Sequence, residues 1–428
     1  MKIAVVGAGS TYTPELIEGL IGISADILLD EIWLLDIPIS ERKFRIVGNL
    51  SERMLKKTGQ QALLHRTYDA RAALQNADFI IFQFRAGLLQ GRIQDEKIPL
   101  EFGLIGQETT GMGGLACSLR AFPIIEKYVN LIEQTAPRAW IINFSNPSGT
   151  LTEFMVNHLR YERCIGLCNI PIEFVMEAAK AFACEPEQVF LKYYGLNHLS
   201  WVEKVHIQGQ DRTSEMWDRF NLNMKNIPQS DYDPKFIAQL KLLPNPYLRY
   251  YYMTDRMLSA EIQERDSQGT RGEVIQRIEE QLLQLYSRED LDEKPELLSQ
   301  RGGFMYSTVA TGLMRDLALN RDTIHIINTR NNGAITHLPD DYILEIPARI
   351  RQNGPAPVPL GACHPATSGL IHTVKNVERL VITGYAEKRD DLIKTAMLIH
   401  PLGPKESHLE ALWQRLQQAN RAVMAAAE

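Results

Sequence analysis

Cysteine is scarce in this chain. Five are spread over 428 residues, Cys117, Cys164, Cys168, Cys184 and Cys363. An odd, low count without paired spacings excludes a disulfide framework, and reduced thiols in a reducing compartment are the expected state. Long apolar runs are lacking too: none approaches the roughly 20 residues that span a bilayer. Met1 to Gly7 holds one lysine, a short apolar run and then glycine, and reads as a buried strand rather than a secretory leader. A cytoplasmic protein with no membrane contact is therefore expected. Basic excess is also missing. A net charge of −6 gives no global field for nucleic acid, so a phosphorylated ligand needs a local basic pocket. Internal repeats, low-complexity tracts and polybasic runs are absent as well.

What is there is globular. The hydrophobic fraction is 45% and the charged fraction 23%, and the length predicts two domains rather than one core. The first part alternates strand and helix. Lys2–Val6 is β-rich and ends in Gly7-Ala8-Gly9; a helix follows, with Pro14 early and apolar residues at helical spacing. Glu31–Asp36, Ala62–Thr67, Asp78–Phe84, Ala139–Phe144 and Cys164–Cys168 read as further strands, with helices over Ser40–Gly59 and Ser118–Thr135. Asp78–Phe84 is almost wholly apolar, as a strand covered on both faces should be. This pattern predicts an α/β fold, a Rossmann-like doubly wound parallel sheet over residues 1–168. Residues 169–428 are expected to form a mixed α+β, helix-rich second domain of the lactate/malate dehydrogenase type. There, Gln188–Gln208 reads as a strand pair and Asp211–Asn245 as polar and irregular. Asp266–Gly269 and Pro355–Pro359 read as loops, Thr323–Asn328 and Tyr342–Ile346 as strand-like, and Glu406–Ala427 as an amphipathic helix.

The end of the first strand carries chemistry. In Gly7-Ala8-Gly9-Ser10-Thr11-Tyr12, two glycines allow a tight turn that brings N–H groups to a pyrophosphate at a helix N-terminus. The third fingerprint position is Tyr12 rather than glycine, so the match is incomplete, and a plain structural turn reads equally well on its own. Asp36 closes the second strand, where a carboxylate accepts from ribose hydroxyls and repels a 2′-phosphate. That order favours a dinucleotide site for NAD over a simple cap. An ordinary hydroxy-acid dehydrogenase then fits poorly. His198, in an apolar setting, is more often a satisfied structural histidine than a base. Cys168 follows a strand that should end at the cofactor crevice, yet one Cys and one His so far apart make a weak metal signature.

Together these segments resemble glycoside hydrolase family 4, most strongly its 6-phospho-β-glucosidases. The likeness runs through GAGSTYTPEL, RAGLLQGR, EKIPLEFGLIGQETTGMGG, INFSNP, CNIP, YGLNH, NPYLRYY, TRGE and NNGAI, in that order. It implies NAD at Gly7, Gly9, Ser10, Thr11 and Asp36, and Mn²⁺ or another divalent metal at Cys168 and His198. It further implies hydride transfer from sugar C3 to NAD⁺, removal of the C2 proton by Tyr247, elimination at C1, water addition and reversal. Such a route departs from the paired-carboxylate scheme that most glycosidases use. Arg92, Asn146 and Arg271 match positions that hold the sugar 6-phosphate, and two arginines with an amide make a reasonable anion clamp. Glu108 matches a position near the active centre, where it bonds to the base or a hydroxyl, or caps a helix. Asn197 is expected to orient His198. Arg85 reads as a solvated surface pair.

Asn169 is the most informative residue for substrate class. Family members acting on α-linked phosphoglucosides resemble general-acid enzymes with Asp after the metal cysteine; an amide cannot protonate a leaving oxygen, which points to β-linked substrates. Tyr250, Tyr251 and Tyr252 compete with Tyr247 for the base, and the sequence does little to exclude Tyr251. The implied substrate is a phosphorylated disaccharide, such as cellobiose 6-phosphate, or an aryl β-glucoside phosphate. The implied assembly is a homodimer or homotetramer. The rival readings are an NAD-dependent dehydrogenase of a sugar or hydroxy acid, and a silent ligand-sensing protein.

Overall fold

The computed structural model describes residues 1–219, 232–301 and 305–427. Six short strands rich in β-branched and aromatic residues open the fold: β1 (Lys2–Val6), β2 (Glu31–Leu35), β3 (Leu63–Thr67), β4 (Phe79–Phe82), β5 (Trp140–Asn143) and β6 (Cys164–Gly166). They pair in parallel in the order 3-2-1-4-5-6, the doubly wound order expected from the alternation. β4 and β5 are buried at every position, because helices cover both faces. Those helices are α1 (Thr13–Ile23), α2 (Glu41–Lys57), α3 (Ala70–Leu74), α4 (Leu88–Glu101), α5 (Gly111–Thr135), α6 (Ser148–Glu153) and α7 (Ile170–Phe182).

The chain then builds a second, four-stranded sheet from β7 (Val189–Leu196), β8 (Leu199–Ile207), β9 (Gln210–Asp211) and β10 (Leu243–Pro244). Helices follow: α8 (Thr213–Arg219), α9 (Pro234–Leu240), α10 (Arg249–Tyr252), α11 (Thr254–Ser267), α12 (Arg271–Tyr286) and α13 (Tyr306–Leu319). Three strands return to the first sheet: β11 (Thr323–Arg330), β12 (Ile343–Arg351) and β13 (Gly354–Pro357). β11 runs antiparallel to β6, so the sheet has nine strands and continues past residue 168. α14 (Pro365–Ala386), α15 (Asp390–Ile399) and α16 (Glu406–Ala425) close the chain against α4 and α5.

Some expectations change. The loop predicted over Pro355–Pro359 begins as the edge strand β13, where proline costs little because no further strand needs its N–H. The loop expected at Asp266–Gly269 starts later, since α11 runs to Ser267. α5 begins at Gly111 rather than Ser118. The irregular Asp211–Asn245 stretch contains α8, α9 and β10, and its residues 220–231 lie outside the described residues.

Candidate active site

The glycine turn after β1 is held on both sides. Gly7 has φ +85°, and a Cβ there would lie 2.6 Å from Phe84 Cα, so only glycine fits. The N–H groups of Gly7 and Ala8 donate to Leu35 O at 2.9 and 3.0 Å. The Gly9 N–H donates to Asp36 Oδ2, and the Ile37 N–H to Oδ1 at 2.8 Å. Burial pushes the Asp36 carboxyl up, and those two N–H groups pull it back. Gly7, Gly9, Ser10 and Asp36 line one cleft of about 970 Å³. Thr11 departs from the expectation. Its side chain is fully buried and bonds Glu279 at 3.5 Å, while its carbonyl accepts from Tyr286 at 2.9 Å. It ties the turn to α12, and Tyr12 lines the cleft in its place, with Arg301 4.8 Å over its ring.

The same cleft collects the C-terminal ends of β4, β5 and β6, contributing Phe84 to Gly87, Phe144 to Asn146, and Asn169. Crevices at strand ends of this topology are where ligands sit. His198 reaches it from the second sheet. β7 and β8 are joined by the two residues Asn197 and His198, with Leu196 opposite Leu199. His198 has φ +64°, the left-handed conformation that a two-residue hairpin turn uses. The turn places His198 Nε2 3.5 Å from Cys168 Sγ. Burial pushes the imidazole down to about 3 and the thiol up, so the histidine is neutral at pH 7 and can offer a lone pair. Its Nδ1 is buried with no hydrogen-bond partner. Among the described residues no group of three His, Cys, Asp or Glu side chains gathers for a metal, so this pair would supply two ligands and leave positions open for oxygens of a bound molecule.

Tyr247 lies flat on His198, ring centroids 3.9 Å apart and 7° from parallel. Burial pushes its phenol up, and Arg92 and Arg249 act to lower it. Its competitors are separated by the fold. Tyr251 donates to or accepts from Thr110 Oγ1 at 2.7 Å and faces a small cavity behind His198. Tyr252 OH accepts from Trp201 Nε1 at 3.0 Å. Tyr250 lines the cleft, its hydroxyl accepting from Arg249 at 3.0 Å.

Glu108 sits between arginines. It pairs with Arg85, and with Arg92 at 3.0 Å; Arg92 also meets Glu96 at 2.8 Å. It caps no helix, since α5 starts from Thr110. Arg85 is not a solvated surface pair: it lines the cleft against a buried carboxylate. Its position just past the apolar run of β4 was the available signal, since that is the ligand-facing end of a parallel strand. Asn146 and Arg271 also line the cleft. Arg271 stands first in α12, behind a Thr270–Glu273 capping box, and donates to Gln300 O at 3.0 Å. Asn169 is the N-cap of α7 and donates its amide to Glu173 Oε1 at 2.7 Å. Lining residues that the sequence did not single out include Lys43, Glu261, Glu279 and Arg301. They come from helices distant in sequence from every glycine or cysteine motif.

The profile of the Family 4 glycosyl hydrolases matches residues 2–184, and that of the Family 4 glycosyl hydrolase C-terminal domain matches residues 193–403. A 6-phospho-β-glucosidase of Thermotoga maritima is 45% identical over 98% of this chain and 99% of its own. A structure of the Thermotoga maritima 6-phospho-β-glucosidase with manganese, NAD⁺ and glucose 6-phosphate is 43% identical, with TM-score 0.91 over 99% of each chain. At the level of fold alone, a lactate dehydrogenase from a deep-sea metagenome library superposes with TM-score 0.55 at 15% identity, over 90% of this chain and 98% of its own. With its matches spanning nearly the whole sequence, the chain belongs to family 4 of the glycosyl hydrolases.

Proposed function

We propose that this chain hydrolyses 6-phospho-β-glucosides, cellobiose 6-phosphate among them, with NAD⁺ and a divalent cation such as Mn²⁺ as resident cofactors. The observation that carries the reading is the approach of buried Cys168 to His198, which with Tyr247 stacked on it lines a cleft that also holds the glycine turn and several arginines. Residues 1–168 would hold the dinucleotide, and 169–428 the sugar and the subunit contacts of a cytoplasmic homo-oligomer.

The N–H groups around Gly7, Gly9 and Ser10, at the start of α1, suit a pyrophosphate, and Asp36 suits the ribose hydroxyls. Cys168 and His198 suit a cation of intermediate softness, and the neutral imidazole beside the thiol fits that role. The chemistry these groups supply when bound is acceptance of a hydride from sugar C3 and polarisation of the oxygen left there, which makes the C2 proton acid. Tyr247 then takes that proton. Its stacking on His198 fixes the phenol beside the metal pair, and a nearby cation offsets the burial that otherwise keeps it protonated. Arg92, Arg271 and Asn146 hold the 6-phosphate, Arg92 exchanging part of its pairing with Glu96 and Glu108 for the ligand. Glu108 keeps Arg85 and Arg92 in place and bonds a sugar hydroxyl. Asn169, held by Glu173, orients substrate without donating a proton to the leaving oxygen, which suits a β linkage.

The test is turnover of a nitrophenyl 6-phospho-β-glucoside in D₂O with NAD⁺ and Mn²⁺, followed by NMR of the sugar. Nitrophenol release with deuterium at C2 is expected, and Tyr247→Phe should slow it by about 10²–10⁴-fold. Release without deuterium in the wild type would remove the elimination route. Net NADH accumulation would favour a dehydrogenase.

A further inference from the structure

Several buried carboxylates in this molecule have cationic partners, while Asp36 and Glu15, which keep 8% and 6% exposure, meet neutral donors. Glu153 meets Lys375 and Arg379, Asp95 meets Arg120, and Glu279 meets Lys43 and Arg301. Glu345, on β12, is wholly buried, and among the described residues it forms no ion pair with Lys, Arg or His. Neutral donors surround it. Oε1 accepts from Asn197 Nδ2 at 3.0 Å and from Asn328 Nδ2 at 3.4 Å. Oε2 accepts from Tyr193 OH at 2.6 Å and from Ser200 Oγ at 3.4 Å. Asn245 Nδ2 supports the cluster from behind, donating to Ser200 Oγ at 3.0 Å. Four donors on two oxygens suit the ionised group, and an unbalanced charge in a buried site is costly.

Where its counter-charge belongs follows from one donor. Asn197 is the other residue of the two-residue turn that carries His198. Its amide thus joins the carboxylate to the turn that holds the imidazole 3.5 Å from Cys168 Sγ. We infer that Glu345 is the buried counter-charge of the divalent cation held by Cys168 and His198, and that through Asn197 it fixes the turn that presents His198. Glu345 is a positioning residue: it touches neither substrate nor metal. The inference rests on the metal reading given above.

The test measures Mn²⁺ affinity directly, by the electron paramagnetic resonance signal of free Mn²⁺, with NAD⁺ and glucose 6-phosphate present. Glu345→Gln removes the charge and keeps the shape; the hydroxyls of Tyr193 and Ser200 can turn to accept from the new amide. Its Mn²⁺ Kd should rise about 10–100-fold, the usual cost of losing an outer partner of a metal ligand, while NAD⁺ Kd stays at the wild-type value. The melting temperature of the metal-free variant should equal or exceed that of the wild type, because an unbalanced charge has gone; a purely structural glutamate would lower it. Glu345→Asp, which keeps the charge, should lose less Mn²⁺ affinity than Glu345→Gln. If Glu345→Gln does not fold, Asn197→Ala, at a half-buried turn, cuts the link between Glu345 and the His198 turn and should weaken Mn²⁺ by about tenfold or more. Wild-type Mn²⁺ affinity in the folded variants overturns the inference alone. Failure of the wild type to bind Mn²⁺, or equal binding by Cys168→Ser and His198→Ala, overturns the metal reading and this inference with it.

Discussion

Replacing Gly9 with alanine puts a methyl group against the carboxylate that organises the cofactor turn. The new Cβ would lie 2.8 Å from Asp36 Oδ2 and 3.3 Å from its Cγ, so reaching an ordinary 3.4 Å contact needs a retreat of 3.4 − 2.8 = 0.6 Å. Asp36 has little room to move, being 8% exposed and held on its other oxygen by the Ile37 N–H at 2.8 Å. The carboxylate must therefore rotate off the Gly9 N–H. A hydrogen bond to a charged acceptor contributes about 1.5–3 kcal/mol, and the alanine returns about 0.4–1 kcal/mol by restricting the unfolded chain. The net expectation is about 1–2 kcal/mol lost, which is roughly 5–30-fold in an equilibrium constant. NAD⁺ affinity should fall by that factor, because the displaced carboxylate is the one proposed to meet the ribose. Gly22→Ala is the matched control. It lies exposed near the end of α1 with nothing within 4 Å of its added Cβ, and should gain up to about 0.5–1 kcal/mol. Urea unfolding and fluorescence titration with NAD⁺ measure both quantities. If Gly9→Ala unfolds and binds NAD⁺ as the wild type does, the account of the turn is wrong.

Asp95→Asn should cost about 3–5 kcal/mol in urea unfolding, since it strands Arg120, whose guanidinium is 1% exposed and bonds Asp95 at 2.7 and 2.5 Å; a loss below about 1 kcal/mol would deny that pair its role in holding the Ala86 turn, where Arg120 Nε donates at 3.2 Å. Burial acts to raise Asp316, but bonds from His325, Thr323 and Arg315 outweigh it and hold the carboxyl down at about 2. A depressed carboxyl contributes stability that is complete above its unfolded value near 4 and fades as pH falls toward 2, so Asp316→Asn should flatten the acid limb of a thermal-unfolding series between those values and leave it no steeper. Tyr251→Phe should keep deuterium incorporation at C2, because its hydroxyl is turned to Thr110; loss of incorporation there would transfer the base from Tyr247.

The parallel sheet was legible because its strands are short, apolar and evenly interrupted. Phe79–Phe82 and Trp140–Asn143 could hardly be anything but buried strands. α4 was harder to see. Gly91 and Pro99 interrupt it, and charged residues such as Asp95 and Glu96 are buried in it, so it has no apolar stripe to read. The addition of β11–β13 to the first sheet was also hidden, as strand partners across long separations leave no local trace. The site divides in the same way. Gly7, Gly9 and Asp36 are readable as a local pattern, whereas the 3.5 Å approach of Cys168 and His198 depends on where β6 and the β7–β8 turn lie in space. Resemblance supplied that pair. Arg85 and Glu345 were missed because charge pairing and its absence are properties of the folded interior.

The turn that carries His198 has no slack. Two residues join strands whose ladder runs unbroken from Leu196 opposite Leu199 back to Tyr193 opposite Val202. One inserted residue would either swing the imidazole away from Cys168 or slip a ladder in which every second side chain changes face. Change at this point is therefore confined to substitution, while length can vary only elsewhere around the cleft. A library that lengthens or shortens the chain at 197–198 samples loss of the site; one that varies residues around Asn169 and Arg85 samples new substrates on an intact frame.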